Sequence, residues 1–320
     1  MKAMVIERFG GPEEFKLSEM VTPELKKDEL LIETMSSSVN PVDWKQRGGS
    51  WHKYVFRPKF PLILGYDVAG KVIQTGKEVT TFNTGDYVCG ILPTNYYGGA
   101  LAEFAKGTEK CFVKIDESPD TYQFGILPLT GLTAFQALRD KGRLQEDQSV
   151  LIIGAAGGVG NFALQVAHIF KARTYAVSSE RHKSFIEELA PEATFIDYRK
   201  EDILKTRERF KIIYDTAGAY SFRKCMHLLV SGGIYINTLP RPKILMHKVI
   251  SVFTQGKKVM TQLVKHDPVQ LRQLVKWVGE GKIRLCIDRE FSVIDIANAH
   301  RYSEEGHTEG KILIRYNWNT

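Results

Sequence analysis

Val150-Leu151-Ile152-Ile153 runs unbroken into Gly154-Ala155-Ala156-Gly157-Gly158-Val159-Gly160, and that cluster opens into Asn161-Phe162-Ala163-Leu164-Gln165-Val166-Ala167-His168-Ile169-Phe170. Few patterns narrow a fold as far. An apolar strand, a tight glycine turn and a helix in immediate succession read as the start of a βαβ unit that takes a dinucleotide. Ala155, Ala156, Gly157, Gly158, Val159 and Gly160 are then the residues that meet a diphosphate. Gly157 lets the backbone approach it with no Cβ in the way, and Gly160 lets the helix pack closely on the strand. The helix start adds unpaired N–H groups and a partial positive charge. The competing interpretation is a small-residue turn in another α/β protein; the strand and helix on either side favour the dinucleotide.

From Val150 onward, strands and helices alternate. Gly131 to Leu138 reads as a helix, Thr174-Tyr175-Ala176-Val177 as a second strand and His182 to Leu189 as a helix. Phe195-Ile196, Ile212 to Asp215 and Gly233 to Asn237 read as further strands. Alternation of this kind implies an α/β fold with a doubly wound parallel sheet. The first 120 or so residues differ. Met1 to Gly10, Leu30 to Met35, Val68 to Ile73 and Tyr87 to Ile91 read as strands between Gly- and Pro-rich turns, which suggests a barrel-like β domain. Beyond about residue 260 a helix, Val269 to Val278, and a few strands return, ending with Lys311-Ile312-Leu313-Ile314. The expected division is 1–121 with 260–320 as one domain and 122–259 as the cofactor domain.

The chain has 320 residues, 43% hydrophobic and 25% charged, with a formal charge of +7. The basic residues are scattered among acids, as in Lys26-Lys27-Asp28-Glu29, so a solvated surface is favoured and no nucleic-acid partner is expected. No apolar run approaches a membrane span, and the start has no long apolar core of a signal peptide; a cytoplasmic protein is expected, with no membrane partner. Cys89, Cys111, Cys225 and Cys286 form no CxxC pair, so neither a zinc ribbon nor a disulfide framework is expected. His52, His168 and His182 stand alone and read as surface or packing residues.

Seven stretches together resemble the zinc-independent medium-chain dehydrogenase/reductase superfamily, in its quinone oxidoreductase branch. They are Val39 to Lys45, Pro61 to Gly70, Gly85 to Val88, Gly98 to Phe104, Leu129 to Ala134, the glycine loop and Glu309 to Ile312. The resemblance implies a GroES-like β-barrel catalytic domain with a cleft against a Rossmann domain. Zinc-dependent members carry a cysteine just before the residues equivalent to Asn40 to Asp43, and a histidine before the acid equivalent to Asp67. Here Ser36-Ser37-Ser38 and Tyr66 stand in those regions, so no metal is expected.

An NAD site usually has an acid about 20 residues after the glycine loop. Here the second strand runs into Ser178-Ser179, with Glu180 just after it, then Arg181 and Lys183. Hydroxyls with nearby cations suit a 2′-phosphate, and the resemblance adds Tyr198, so NADPH is the expected cofactor. Arg181 and Lys183 also read as solvated residues of a helix start. By resemblance, Thr130, Ala217, Asn237, Thr238 and Lys311 contact the cofactor too.

The resemblance implies hydride addition to a quinone or an α,β-unsaturated carbonyl, leaving an enolate that needs a donor. Lys45 and Tyr66 are the catalytic candidates. Asn40 and Asp43, in a loop on the nicotinamide side, and Trp51, as a stacking wall, are the substrate-binding candidates. Asn40-Pro41 and Asp43 also read as a turn and its brace. Enoyl-thioester reductases of the superfamily carry a tyrosine where Trp51 stands, and Tyr54 is out of register. Two alternatives stay open: a non-catalytic NADPH-binding sensor or accessory protein, and an enoyl-thioester reductase. The basic, apolar stretch Arg241 to Met260 reads as an amphipathic surface helix, over the cleft or at a subunit contact; pairing into a homodimer is common in the family.

Overall fold

The computed structural model describes residues 1–50, 59–93, 99–238 and 256–318. Trp51, Tyr54 and most of the stretch from Arg241 lie outside them. The chain divides into two compact units, Met1–Leu129 with His266–Lys276 and Leu285–Thr320, and Thr130–Lys265 with Trp277–Arg284.

The first stretch of the chain is strand-rich. It holds β1 (Lys2–Ile6), β2 (Phe15–Glu19), β3 (Glu29–Val39), the short helix α1 (Pro41–Arg47), β4 (Leu62–Ile63), β5 (Asp67–Thr75), β6 (Tyr87–Ile91), β7 (Phe104–Thr108) and β8 (Phe112–Lys114). Leu30, Ile32, Val68, Val72 and Val88 alternate along their strands and share one buried cluster with Phe112, the period-2 pattern of a sheet with a covered face. The expectation of a loop at Asn40 to Asp43 is corrected. Asn40 N–H donates to the Asp43 carboxylate at 2.7 Å and Pro41 takes the first helical position, both strong helix-start signals.

The second stretch alternates. After α2 (Pro128–Gln136) come β9 (Ser149–Ile153), α3 (Gly158–Ile169), β10 (Arg173–Ser178), α4 (Lys183–Leu189), β11 (Thr194–Asp197), β12 (Phe210–Asp215), α5 (Phe222–Cys225), β13 (Leu229–Asn237) and β14 (Lys258–Thr261). These six strands form one sheet in the order β11-β10-β9-β12-β13-β14, parallel throughout. Every residue of β9 is buried, as the central strand of a sheet covered on both faces requires. The order reverses at β9, so the carboxyl ends of β9, β10 and β12 flank the crevice where ligands of such sheets bind. Lys258 to Met260 is strand, which corrects the helix expected there; Val259 supplies the β-branched residue that packs into the sheet.

The chain then adds α6 (Pro268–Gly279), β15 (Ile287–Ser292), α7 (Ile296–Glu305) and β16 (Lys311–Arg315). The last strand pairs antiparallel with β3, completing a seven-stranded sheet with the order β15-β16-β3-β5-β6-β8 and β7 alongside β3. The C-terminal residues therefore build the same unit as the N-terminal ones.

Candidate functional site

The register of the parallel sheet aligns one edge. Ile153 pairs with Val177 and with Asp215, Ser178 with Asp197, and Asp215 with Asn237. The glycine loop, Ser178-Ser179, Tyr198, Thr216-Ala217 and Asn237-Thr238 all follow these strand ends, so residues spread over 80 positions share one rim.

The loop is pinned from both neighbouring strands. Gly154 N–H and Ala155 N–H donate to Val177 O at 3.0 and 3.1 Å, and Thr216 N–H donates to Ile153 O at 3.0 Å. Gly154 has φ +80, and a Cβ there would sit 2.9 Å from Thr216 Oγ1, a conformation that favours glycine. At Gly160 a Cβ would lie 2.7 Å from Ala155 O and closer still to Gly154 O, so the absent side chain is what lets α3 seat on the loop. At Gly157 the added Cβ meets only Gly154 O, at 3.5 Å. That position is open, and it caps a helix whose first N–H groups have no intrahelical partner. Ala155 and Ala156 are buried, at 0% and 2% exposed. Gly158 and Val159 are half-buried in the first turn of α3.

At the end of β10, Ser178 and Ser179 are 6% and 4% exposed. Both hydroxyls are in hydrogen-bond contact with His182 Nδ1, at 2.8 and 3.2 Å. Arg181 Nε donates to His182 Nε2 at 2.9 Å. His182, which reads as a packing residue in the sequence, is the buried centre of this group. The turn Ser179 to His182, closed by a His182 N–H to Ser179 O bond, carries the ring back beneath the serines. The acid Glu180 pairs with Lys200 at 2.9 Å on the exposed surface. Lys183, 3.9 Å from Glu187, and Tyr198, 49% exposed, stand on the same rim, with Tyr198 N–H donating to Ser178 O.

On the other side of β9, Thr216 Oγ1 donates to Ile153 O at 2.8 Å and Ala217 is exposed. Thr238 Oγ1 donates to Thr216 O at 3.3 Å. Asn237 is 5% exposed, and its Oδ1 is buried without a hydrogen-bond partner among the described residues. A buried, unsatisfied amide oxygen is costly, and an incoming N–H donor such as a carboxamide would satisfy it. Thr130 is buried in α2.

Three candidates of the other unit, Asn40, Asp43 and Lys311, meet in a buried polar cluster. Asp67 accepts from Ser38 Oγ at 2.6 Å, from Asn40 Nδ2 at 2.8 Å and from Leu129 N–H at 2.7 Å. Lys311 Nζ donates to Asn40 Oδ1 at 2.6 Å and to Val39 O at 2.9 Å. Asn40, Asp43, Asp67 and Lys311 are all at most 3% exposed. Burial drives both carboxyls upward and the Lys311 ammonium downward, while the opposite charges pull each back toward its ionised form. These contacts brace β3, α1, β5 and β16 against one another. Tyr66 is 1% exposed, and its hydroxyl accepts from Gln46 Nε2. Lys45 is half-buried with its ammonium 5.1 Å from the Trp44 ring centroid, and burial lowers its pKa. Sequence reading did not single out Asp67 or Ser38 as members of this cluster. Their signal is position: an acid opening a strand, facing a serine run two strands away in the chain. No three His, Cys, Asp or Glu side chains among the described residues are grouped to hold a metal ion, and no described helix is long and apolar enough to cross a membrane.

Residues 26–117 match the alcohol dehydrogenase GroES-like domain family, and residues 192–314 the zinc-binding dehydrogenase family. The chain is 31% identical to a chloroplast envelope quinone oxidoreductase homolog of Arabidopsis thaliana over 95% of each protein. It is 29% identical to an NADPH-dependent alkenal/one oxidoreductase of the same plant, over 98% of this chain and 79% of that one. Among solved structures, the quinone oxidoreductase of Coxiella burnetii superposes with a TM-score of 0.89 at 30% identity, covering 99% of both chains.

Proposed function

Because the chain belongs to the medium-chain dehydrogenase/reductase superfamily, in its quinone oxidoreductase branch, we propose that it is an NADPH-dependent, metal-free reductase of quinones or α,β-unsaturated carbonyls. The observation that carries this is the rim of the parallel sheet. The open backbone at Gly157 and the N–H groups of α3 fit a diphosphate. The unsatisfied Asn237 Oδ1 fits the carboxamide of a nicotinamide.

The same rim favours the phosphorylated cofactor. No carboxylate ends β10: Ser178 and Ser179 stand there, Arg181 and Lys183 follow, and Glu180 is paired with Lys200. A 2′-phosphate presents acceptors only, and cations and hydroxyl donors match it. When bound, the reduced nicotinamide supplies the hydride. The chain's own task is to hold the reacting partners in place and to stabilise the negative charge on the substrate oxygen. We assign that stabilising role to Lys45, whose ammonium is partly desolvated, ahead of the enclosed Tyr66.

The test is NADPH and NADH oxidation against a naphthoquinone, a short enone and a crotonyl thioester. We expect turnover with the first two and a preference for NADPH. No turnover with any acceptor would support a non-catalytic NADPH-binding role. Lys183→Glu places a carboxylate beside the serines, so the KM for NADPH should rise by about tenfold or more through the lost charge-assisted contact. The KM for NADH should change little; equal effects on both would sink the cofactor assignment.

A further inference from the structure

We infer that His182 is a positioning residue that fixes the hydroxyls of Ser178 and Ser179 as hydrogen-bond donors toward a 2′-phosphate and so sets the choice between NADPH and NADH. The inference rests on the NADPH reading of this rim and adds to it how that choice is enforced.

The guanidinium of Arg181 has donors and no acceptor. Its Nε donates to His182 Nε2 at 2.9 Å, so Nε2 offers a lone pair. The imidazole is then neutral with its proton on Nδ1. The other tautomer and the imidazolium both aim an N–H at an N–H. With the proton on Nδ1, the ring donates to Ser178 Oγ at 2.8 Å and to Ser179 Oγ at 3.2 Å. Each hydroxyl therefore spends a lone pair on the ring. Its single proton is left to turn elsewhere.

A hydroxyl whose acceptor side is engaged presents its donor side to whatever binds next. Two such donors at a strand end match a phosphate dianion, which only accepts. They match the 2′-hydroxyl of an unphosphorylated ribose less well, because that group also has a proton to place. Sites for the unphosphorylated cofactor provide a carboxylate for it. The guanidinium of Arg181 thus acts through two bonds: it sets the tautomer, and the tautomer sets the serines. Burial of the ring and both serines keeps water from taking the serines' place at Nδ1.

Two measurements on the full chain test this. Nitrogen NMR of histidine-labelled protein, with His182 assigned through the His182→Phe variant, should show Nδ1 protonated and Nε2 unprotonated at neutral pH; the reverse pattern overturns the inference. Calorimetric titration with 2′,5′-ADP and with 5′-AMP isolates the 2′-phosphate. His182→Phe should weaken 2′,5′-ADP by about tenfold and 5′-AMP by no more than about twofold, as expected for loss of preorganised charge-assisted bonds. His182→Asn, which keeps a donor near the Nδ1 position, should recover most of that discrimination. If wild type binds the two nucleotides alike, the NADPH reading falls and the inference with it. If wild type discriminates and His182→Phe weakens both equally or neither, the inference alone falls. Should His182→Phe fail to fold, Ser178→Ala/Ser179→Ala carries the titration and must lose the same discrimination; undiminished discrimination overturns the inference.

Discussion

Replacing Gly160 and Gly157 separately by alanine should split stability from cofactor binding within one loop. At Gly160 the new Cβ would lie 2.7 Å from Ala155 O, where ordinary contact begins at 3.4 Å, so the helix must retreat from the loop by about 0.7 Å for this contact alone. Gly154 O is nearer still, and both atoms are backbone, held by bonds to Val177 and Thr216. Neither can rotate away. Forcing a methyl into a packed site costs about 1–3 kcal/mol and sometimes more, which in a chain of this size lowers Tm by roughly 2–5 °C. At Gly157 the Cβ makes one ordinary contact, at 3.5 Å, and φ is −72°. Alanine is allowed there, and Tm should stay within about 2 °C. Its methyl stands where a diphosphate would approach, so NADPH affinity should fall by about tenfold or more. Thermal melts and fluorescence titration with NADPH read the two effects. A Gly157→Ala protein that binds NADPH like wild type, or a Gly160→Ala protein as stable as wild type, would refute the reasoning for that glycine.

Acid should destabilise the protein through His300. Its Nδ1 accepts from Arg47 Nη1 at 2.9 Å, and burial, then the Arg47 charge, pushes the imidazole down to about 3. The unfolded state binds a proton below about pH 6.5 that the folded state refuses, so stability is lost as pH falls through that window, by about 2 kcal/mol from pH 6.5 to 5. Asp43 and Asp67, held upward, contribute with the opposite sign. Urea midpoints of wild type and His300→Gln across this range should therefore differ in slope, and identical slopes would count against the assignment. Asp67→Asn removes a buried carboxylate whose field acts on the enclosed Lys311 ammonium; leaving a buried charge without its counter-charge costs about 3–5 kcal/mol. Pairing it with Lys311→Met should restore part of the lost Tm, whereas additive losses would show that the two charges do not depend on each other.

The parallel sheet was legible because its signals are local. An apolar run such as Val150 to Ile153 is buried on both faces, and the glycines at 157 and 160 answer to contacts within a few residues. Elements were missed where the deciding contact is distant or the local signal ambiguous. Asn40-Pro41 reads as a turn by itself; the helix forms where Asp43 reaches back to the Asn40 N–H. Lys258 to Met260 follows a basic apolar stretch and becomes strand because it lies against β13. Asn40 and Asp43 were read beside a ligand. Their carboxyl and amide groups turn inward to Lys311 and the α1 start, because a buried ammonium more than 250 residues away needs partners.

The amino-acid order by itself determined the alternation of strand and helix, the glycine loop between β9 and α3, the lack of an acid at the end of β10 and the family these together indicate. Each depends on side chains next to one another in the chain. Tertiary structure decided which polar groups face one another: His182 with two serines and a guanidinium, Lys311 with Asn40 and in the field of Asp67, His300 with Arg47. An isolated histidine or lysine has the same letter whether it is solvated or enclosed. Only the packing that removes water fixes its charge, its tautomer and the direction its partners' protons take.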